Sequence, residues 1–364
     1  MAYTVTPRPG ILSINPYVAG ESRLDGKTRI IKLSSNEGPF GPSPKALAVM
    51  ADTAQFANFY PDGSAAALHA AIAERFDLDA DLIVCGAGSD EILSMLCVAY
   101  AGPGDEVLYC EHGFLMYPIC AHAAGATPVT APETNLTTDV DALLAHVTDK
   151  TRIVFVANPN NPTGTYLPKG EMARLRQGLP TNVLLVIDAA YAEFVDHDDY
   201  CAGAELVDAG QNTIMTRTFS KLFALGGLRV GWAYCPTEIA DILNRVRGPF
   251  NVSSMGQAAA IASLQDIEFQ DKSRRHVQEW RAKTEAALQG FGLKTTKSSA
   301  NFVLVEFKDG ATAESCDGYL RDMGIIVRRM ASYGLPAYLR ISIGTGDDMD
   351  ACIGAIGMFL KGPL

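Results

Sequence analysis

The stretch that decides the fold spans residues 151–188, TRIVFVANPNNPTGTYLPKGEMARLRQGLPTNVLLVID. It opens on an apolar, β-branched run at 152–157 (RIVFVA) and closes on another at 183–187 (VLLVI). Between them lie a turn rich in Asn, Pro and Gly and a helical pattern at 172–177. Runs of this kind, separated by helical segments, read as strands of a mostly parallel sheet covered by helices on both faces.

The same unit repeats outward in both directions. Before it lie strands at 81–85 (DLIVC) and 106–110 (EVLYC), with a helix at 91–101 between them. After it come 213–216 (TIMT) and 229–235 (RVGWAYC). Beyond Pro249 the character changes. Residues 254–288 read as one long helix, followed by a strand at 301–307 (NFVLVEF), a helix near 313–323, and strands at 325–328 and 338–343. Strands and helices in that order predict a compact α+β domain. The expected division is a turn-rich arm over residues 1–35 that joins the small domain, a large domain over 36–250 and a small domain over 251–364.

Composition narrows the function. The chain has 364 residues, with 30 Lys and Arg against 41 Asp and Glu, a net charge of −11 that makes nucleic acid a poor partner. Hydrophobic residues make up 48% and charged ones 20%, as in a chain with a packed core and not in a disordered one. No apolar block follows the first charges, and no run approaches the roughly 18–20 apolar residues of a membrane span, so neither a secretory signal nor a membrane protein is expected. The eight cysteines form no CxxC pair and several sit in apolar runs, which reads as buried thiols in a cytoplasmic protein. The six histidines show no HxxxH or HxH spacing, so no metal site is expected.

In an open α/β sheet, ligands bind at the carboxyl ends of the strands, and four predicted strands end on polar residues. Gly86-Ala87-Gly88-Ser89-Asp90-Glu91 joins a strand to a helix, where free amides suit a phosphate. A dinucleotide fingerprint fails there because Glu91 takes the place of the third glycine and a carboxylate would crowd a pyrophosphate. Helix capping by Ser89 or Asp90 is the plain alternative. Asn158-Pro159-Asn160-Asn161-Pro162-Thr163-Gly164 is a rigid turn that presents amide donors and acceptors, or a purely structural one. Asp188 ends an apolar strand, so its carboxylate either needs a positive or hydrogen-bonding partner or caps the next helix; Tyr191 follows three residues on. Lys221 sits among small and apolar residues in Thr218-Phe219-Ser220-Lys221, with Arg229 eight positions later. A partly desolvated lysine offers the free amine that Schiff-base chemistry needs, whereas an ordinary lysine lies on a solvated surface. Taken together, Asp188, Asn161 and Lys221 supply the parts of a pyridoxal phosphate site.

On these motifs the chain resembles the fold-type-I pyridoxal phosphate aminotransferases, and within them the histidinol-phosphate aminotransferase family, from about Pro9 to Phe359. The segments LSSNEGPFGPSP (33–44), YPDG (60–63), VRRM (327–330) and LRISIG (339–344) add to the likeness. The resemblance implies an α/β fold whose large domain carries a seven-stranded, mostly parallel sheet. It implies pyridoxal 5′-phosphate held as a Schiff base to Lys221, with Asp188 on the ring nitrogen and Asn161 and Tyr191 on the ring hydroxyl. Ser89 and Asp90, with Thr218, Ser220 and Arg229, would hold the phosphate, and Phe114 would stack on the ring. Tyr60 would reach the phosphate of a neighbouring subunit, which implies a homodimer with shared sites. Arg340 and Arg328 would bind substrate anions, with Tyr17 and Asn36 closing over them. Arg329 reads as a surface ion pair. One departure is Gly38, where many relatives carry Asn.

The reaction so implied is ping-pong transamination between histidinol phosphate and 2-oxoglutarate, giving imidazole acetol phosphate and glutamate. The alternatives are an aromatic amino-acid aminotransferase and, more distantly, a threonine-phosphate decarboxylase or a non-catalytic binder of the cofactor. A nicotinamide dehydrogenase is disfavoured by Glu91.

Overall fold

The computed structural model describes residues 5–210 and 212–362. Its main sheet has seven strands: β1 (Ile83–Gly86), β2 (Glu106–Cys110), β3 (Thr127–Ala131), β4 (Thr151–Ala157), β5 (Leu184–Asp188), β6 (Thr213–Thr218) and β7 (Gly231–Tyr234). They lie in the order β1-β7-β6-β5-β4-β2-β3. Only β7 runs antiparallel to its neighbours. Strands β5 and β6 are buried along their whole length and β4 along all but Arg152, as in strands covered on both faces.

This order positions the site. From β2 the chain steps outward to β3, whereas from β4 it steps the other way through β5 and β6. The reversal falls between β2 and β4, and a crevice opens there at the carboxyl ends. In register, Asp188 at the end of β5 lies between Ala157 of β4 and Thr216 of β6. Thr218 of β6 and Gly86 of β1 both face Gly231 of β7, so the ends of four strands meet along one edge.

A four-stranded sheet follows, made of Lys294–Thr295, Phe302–Glu306, Tyr338–Ser342 and Arg328–Arg329, and Gly310–Asp322 and Gly346–Lys361 are helices of the same region. The expected strand at 325–328 divides. Ile325–Ile326 pairs in parallel with Ile31–Lys32, whereas Arg328–Arg329 joins the four-stranded sheet. The expected long helix at 254–288 is two helices, Ser254–Leu264 and Ile267–Gly290, broken at Gln265 and Asp266. The first packs on Pro44–Ala54 and Ala66–Phe76. Residues 229–235 begin the strand later than expected, because Arg229 has a φ of 54°, outside the extended region. Edge strand β3 had no sequence signal: it carries Pro128, and only Ala131 of its five residues is buried.

Candidate active site

A cavity of about 510 Å³ opens at the carboxyl edge of the sheet. Its wall includes Ser89, Asp90, Phe114, Asn161, Asp188, Tyr191, Thr218, Ser220, Lys221 and Arg229 from the loops after the strands. Tyr17, Asn36, Arg328 and Arg340 close it from the arm and the four-stranded sheet. Of the expected site residues only Tyr60 lies elsewhere. It is 82% exposed and stacked on Phe250, with ring centroids 4.8 Å apart.

Asp188 sits at the cavity floor, 5% exposed. Tyr117 donates its hydroxyl proton to one carboxylate oxygen at 3.0 Å, and Thr216 donates to the other at 3.4 Å. No basic side chain among the described residues pairs with it. Burial therefore pushes its pKa up to about 6, and the hydrogen bonds offset only part of that cost. Tyr117, whose own hydroxyl is raised well above its ordinary range by burial and by the nearby carboxylate, was not legible as a site residue. It lies three residues after Phe114, at the start of the helix Met116–Ala124, and the two rings meet edge to face at 5.9 Å.

Lys221 is half-buried, with its Nζ 5.5 Å from the centre of the Tyr191 ring. Tyr191 accepts a hydrogen bond from Asn36 Nδ2 at 2.9 Å, which leaves its own proton free to donate. Asn36 is fixed in turn: Ser342 donates to its Oδ1 at 2.9 Å and accepts from its backbone N–H at 2.8 Å, and Asn301 donates to its carbonyl at 3.0 Å. These bonds hold Asn36 at a φ of 54°, a left-handed conformation in which Asn is among the better tolerated residues. Asn36 lines the cavity as a buried residue whose side chain is engaged by Tyr191 and Ser342.

Arg340 is buried; it donates to Asn161 Oδ1 at 2.5 Å and to the Ser34 carbonyl at 3.0 Å. Its Nε is buried with no partner, which leaves the guanidinium partly unsatisfied. Arg328 is half-buried and donates to the Val18 carbonyl at 2.5 Å, tying the arm across the cavity. Tyr17 stands on that arm, edge-on to Phe114 at 6.3 Å. Arg329 faces away and pairs with Glu314 at 2.6 Å, exposed on both sides.

At the other end of the cavity the turn after β1 meets β7. Gly88 (φ 81°) is the N-cap of Ser89–Tyr100 and brings no capping side chain, so the first amides of that helix have no carbonyl within the helix to bond. A Cβ at Gly88 would strike the Arg229 guanidinium, and one at Gly231 would strike the backbone of Ser89. Arg229 donates to Ser220 Oγ at 3.3 Å and pairs with Asp90 at 3.0 Å, and Thr218 donates to the same Ser220 oxygen at 3.0 Å. Amides, hydroxyls and a guanidinium thus converge on a small volume, an arrangement suited to a dianion.

Comparison with known proteins agrees with this chemistry. A family model described as aminotransferase class I and II matches residues 28–356. Histidinol-phosphate aminotransferases from Paramagnetospirillum magneticum and Rhodospirillum centenum are 56% and 55% identical to the chain, over 97% and 98% of its length and 98% and 99% of theirs. The crystal structure of histidinol-phosphate aminotransferase from Sinorhizobium meliloti in complex with pyridoxal-5′-phosphate is 29% identical, with a TM-score of 0.92 over 99% of this chain and 98% of that one.

Proposed function

The chain belongs to the class I and II aminotransferases, and from that premise we propose that it moves an amino group between histidinol phosphate and 2-oxoglutarate, with pyridoxal 5′-phosphate as its cofactor. The observation that carries this reading is a buried carboxylate without a cationic partner, Asp188, in the same cavity as the half-buried amine of Lys221. The cofactor fits those residues. Its ring nitrogen, as a cation, gives Asp188 the partner it lacks, and its phosphate suits the dianion site at Ser89, Asp90, Thr218, Ser220 and Arg229.

When bound, the cofactor supplies an aldehyde carbon that takes up an amine and a ring that accepts the electron pair released at the substrate α carbon. The chain's residues do the rest. Asp188 would hold the ring nitrogen and favour its protonated form. Asn161 and Tyr191 would hydrogen-bond the ring hydroxyl, and Phe114 would offer a flat apolar face to the ring. Lys221 would be the amine that holds the aldehyde and, once released from it, the base that moves the α proton. Arg340 presents a planar pair of N–H donors to a carboxylate, which a lysine cannot imitate. With Arg328 it offers two positive charges, enough for the phosphate of one substrate and the carboxylates of the other.

The active unit is a homodimer in which Tyr60 reaches the phosphate held by the partner. The exposed aromatic patch of Phe56, Phe59, Tyr60 and Phe250 supports this reading, because an isolated subunit gains nothing from it. The large domain extends to about residue 250, the small domain follows, and the arm over 1–35 belongs with the small one; the pairing of Ile31–Lys32 with Ile325–Ile326 supports that grouping. No helix among the described residues is long and apolar enough to cross a membrane. All eight cysteines are free thiols, in keeping with a cytoplasmic setting.

The test is a comparison of kcat/KM for histidinol phosphate, phenylalanine and tyrosine with 2-oxoglutarate as acceptor. Preference for histidinol phosphate by at least about tenfold, some 1.4 kcal/mol in transition-state binding, is expected. Preference for phenylalanine or tyrosine would make this an aromatic amino-acid aminotransferase.

A further inference from the structure

Glu91 occupies the place where a dinucleotide fingerprint has its third glycine, at the third position of the helix that opens the phosphate site. Its carboxylate does not face the cavity. It folds back beneath the turn, where Oε2 accepts from the backbone N–H of Ala87 at 2.6 Å and from Asn251 Nδ2 at 2.7 Å. Asn251 Nδ2 also donates to the carbonyl of Cys85 at 3.2 Å, at the end of β1. The turn is thereby fixed at both ends. A Cβ on Gly86 would come within 3.2 Å of Glu91 Oε2, so the carboxylate is packed directly against the glycine turn. Asn251 follows Phe250, a bulky residue held at a φ of 58°. Such a conformation persists only where the surrounding structure imposes it.

We propose that Glu91, braced by Asn251, is a positioning residue for the cofactor's phosphate: it takes the Ala87 amide out of play and locks the Gly86–Gly88 turn so that the amides of Ser89 and Asp90 point into the cavity. A carboxylate so close to a dianion is tolerated because it lies on the far side of the backbone and is neutralised in part by two donors. The same strut ties the phosphate turn to the segment that carries Phe250, the ring on which Tyr60 stacks.

The inference rests on the reading of this turn as a phosphate site, and one titration separates the two. The full-length apoprotein is titrated with pyridoxal 5′-phosphate and with pyridoxal, which has the same aldehyde and ring but no phosphate. Wild type should hold the phosphorylated form at least ~100-fold more tightly; equal affinities would refute the phosphate site itself. Glu91→Ala should weaken pyridoxal 5′-phosphate about tenfold or more and leave pyridoxal unchanged, because only the phosphate contacts depend on the strut. Glu91→Gln, which can still accept from the Ala87 amide, should stay within about threefold of wild type. Asn251→Ala should reproduce the phosphate-selective loss and carries the test alone if Glu91→Ala does not fold. An equal loss for both compounds, or no loss for either, would overturn the proposal.

Discussion

Replacing Asp188 by Asn should make the apoprotein more stable while destroying its activity. Burial raises this carboxyl from its ordinary value of 3.8 to about 6. A group with a raised folded-state pKa binds its proton more tightly when folded. As a carboxyl, it therefore costs stability as pH climbs from 3.8 towards 6, and the whole cost persists above that. The difference of roughly 2 pH units corresponds to about 3 kcal/mol. Asparagine has nearly the same shape, its Oδ1 can accept from Tyr117, and its Nδ2 can donate to the Thr216 hydroxyl. It carries no charge to desolvate. With an unfolding entropy of about 2.1 cal/mol/K per residue, 3 kcal/mol raises the melting midpoint of a 364-residue chain by about 4 °C. The assay is calorimetric or optical melting of cofactor-free wild type and variant at pH 8 and pH 5. The gain should be full at pH 8 and about half as large at pH 5. A variant that melts lower than wild type at pH 8, or a gain that does not vary with pH, would refute the reasoning. With cofactor bound, the same change should cut turnover by several orders of magnitude, the mark of a site kept at a cost in stability.

Other consequences follow from the same geometry. Arg340→Lys should raise KM for 2-oxoglutarate by about 100-fold with a smaller loss in kcat, since a lysine cannot supply two parallel donors; an unchanged KM in steady-state assays would remove Arg340 from the substrate site. Asn36→Ala should lower kcat about tenfold and shift the pH titration of the bound cofactor's absorbance, because Tyr191 loses its fixed donor; a wild-type titration curve would show that this support is dispensable. Tyr60→Ala and Lys221→Ala, each inactive alone, should regain activity when mixed subunits re-associate, because one site of the hybrid then holds both residues. Silence in the mixed sample would place Tyr60 outside the partner's site.

What the sequence reveals, and what it hides, follows from the range of the interactions. Lys221, Asp188, Asn161 and the Gly86–Ser89 turn stand out because polar or glycine residues interrupt apolar strands where a parallel sheet presents its ligands, a local signal. The interior strands are legible because β4 and β5 carry continuous apolar runs, Ile153–Ala157 and Leu184–Ile187, that are buried throughout. Strand β3 is not, since an edge strand with Pro128 and one buried residue has no apolar run to read. The break at Gln265 and Asp266 carries no Gly or Pro, so a helical pattern runs through it unmarked. The helix Gly346–Lys361 does carry a local signal, the capping box of Thr345 and Asp348 at its start. The supports of the site are harder still. Asn36 is set by Ser342, 306 residues away, and Glu91 by Asn251, 160 away. Such pairings exist only once the chain has folded, and no pattern within a window of sequence contains them.

The central claim is that one half-buried amine, in the same cavity as a buried carboxylate without a cationic partner among the described residues, traps a carbonyl compound. Borohydride reduction of the pyridoxal 5′-phosphate-loaded protein, followed by peptide mapping, tests it most directly. The account predicts a single phosphopyridoxyl label on Lys221, lost in Lys221→Ala. A label spread over the other lysines, or one retained in that variant, would contradict it.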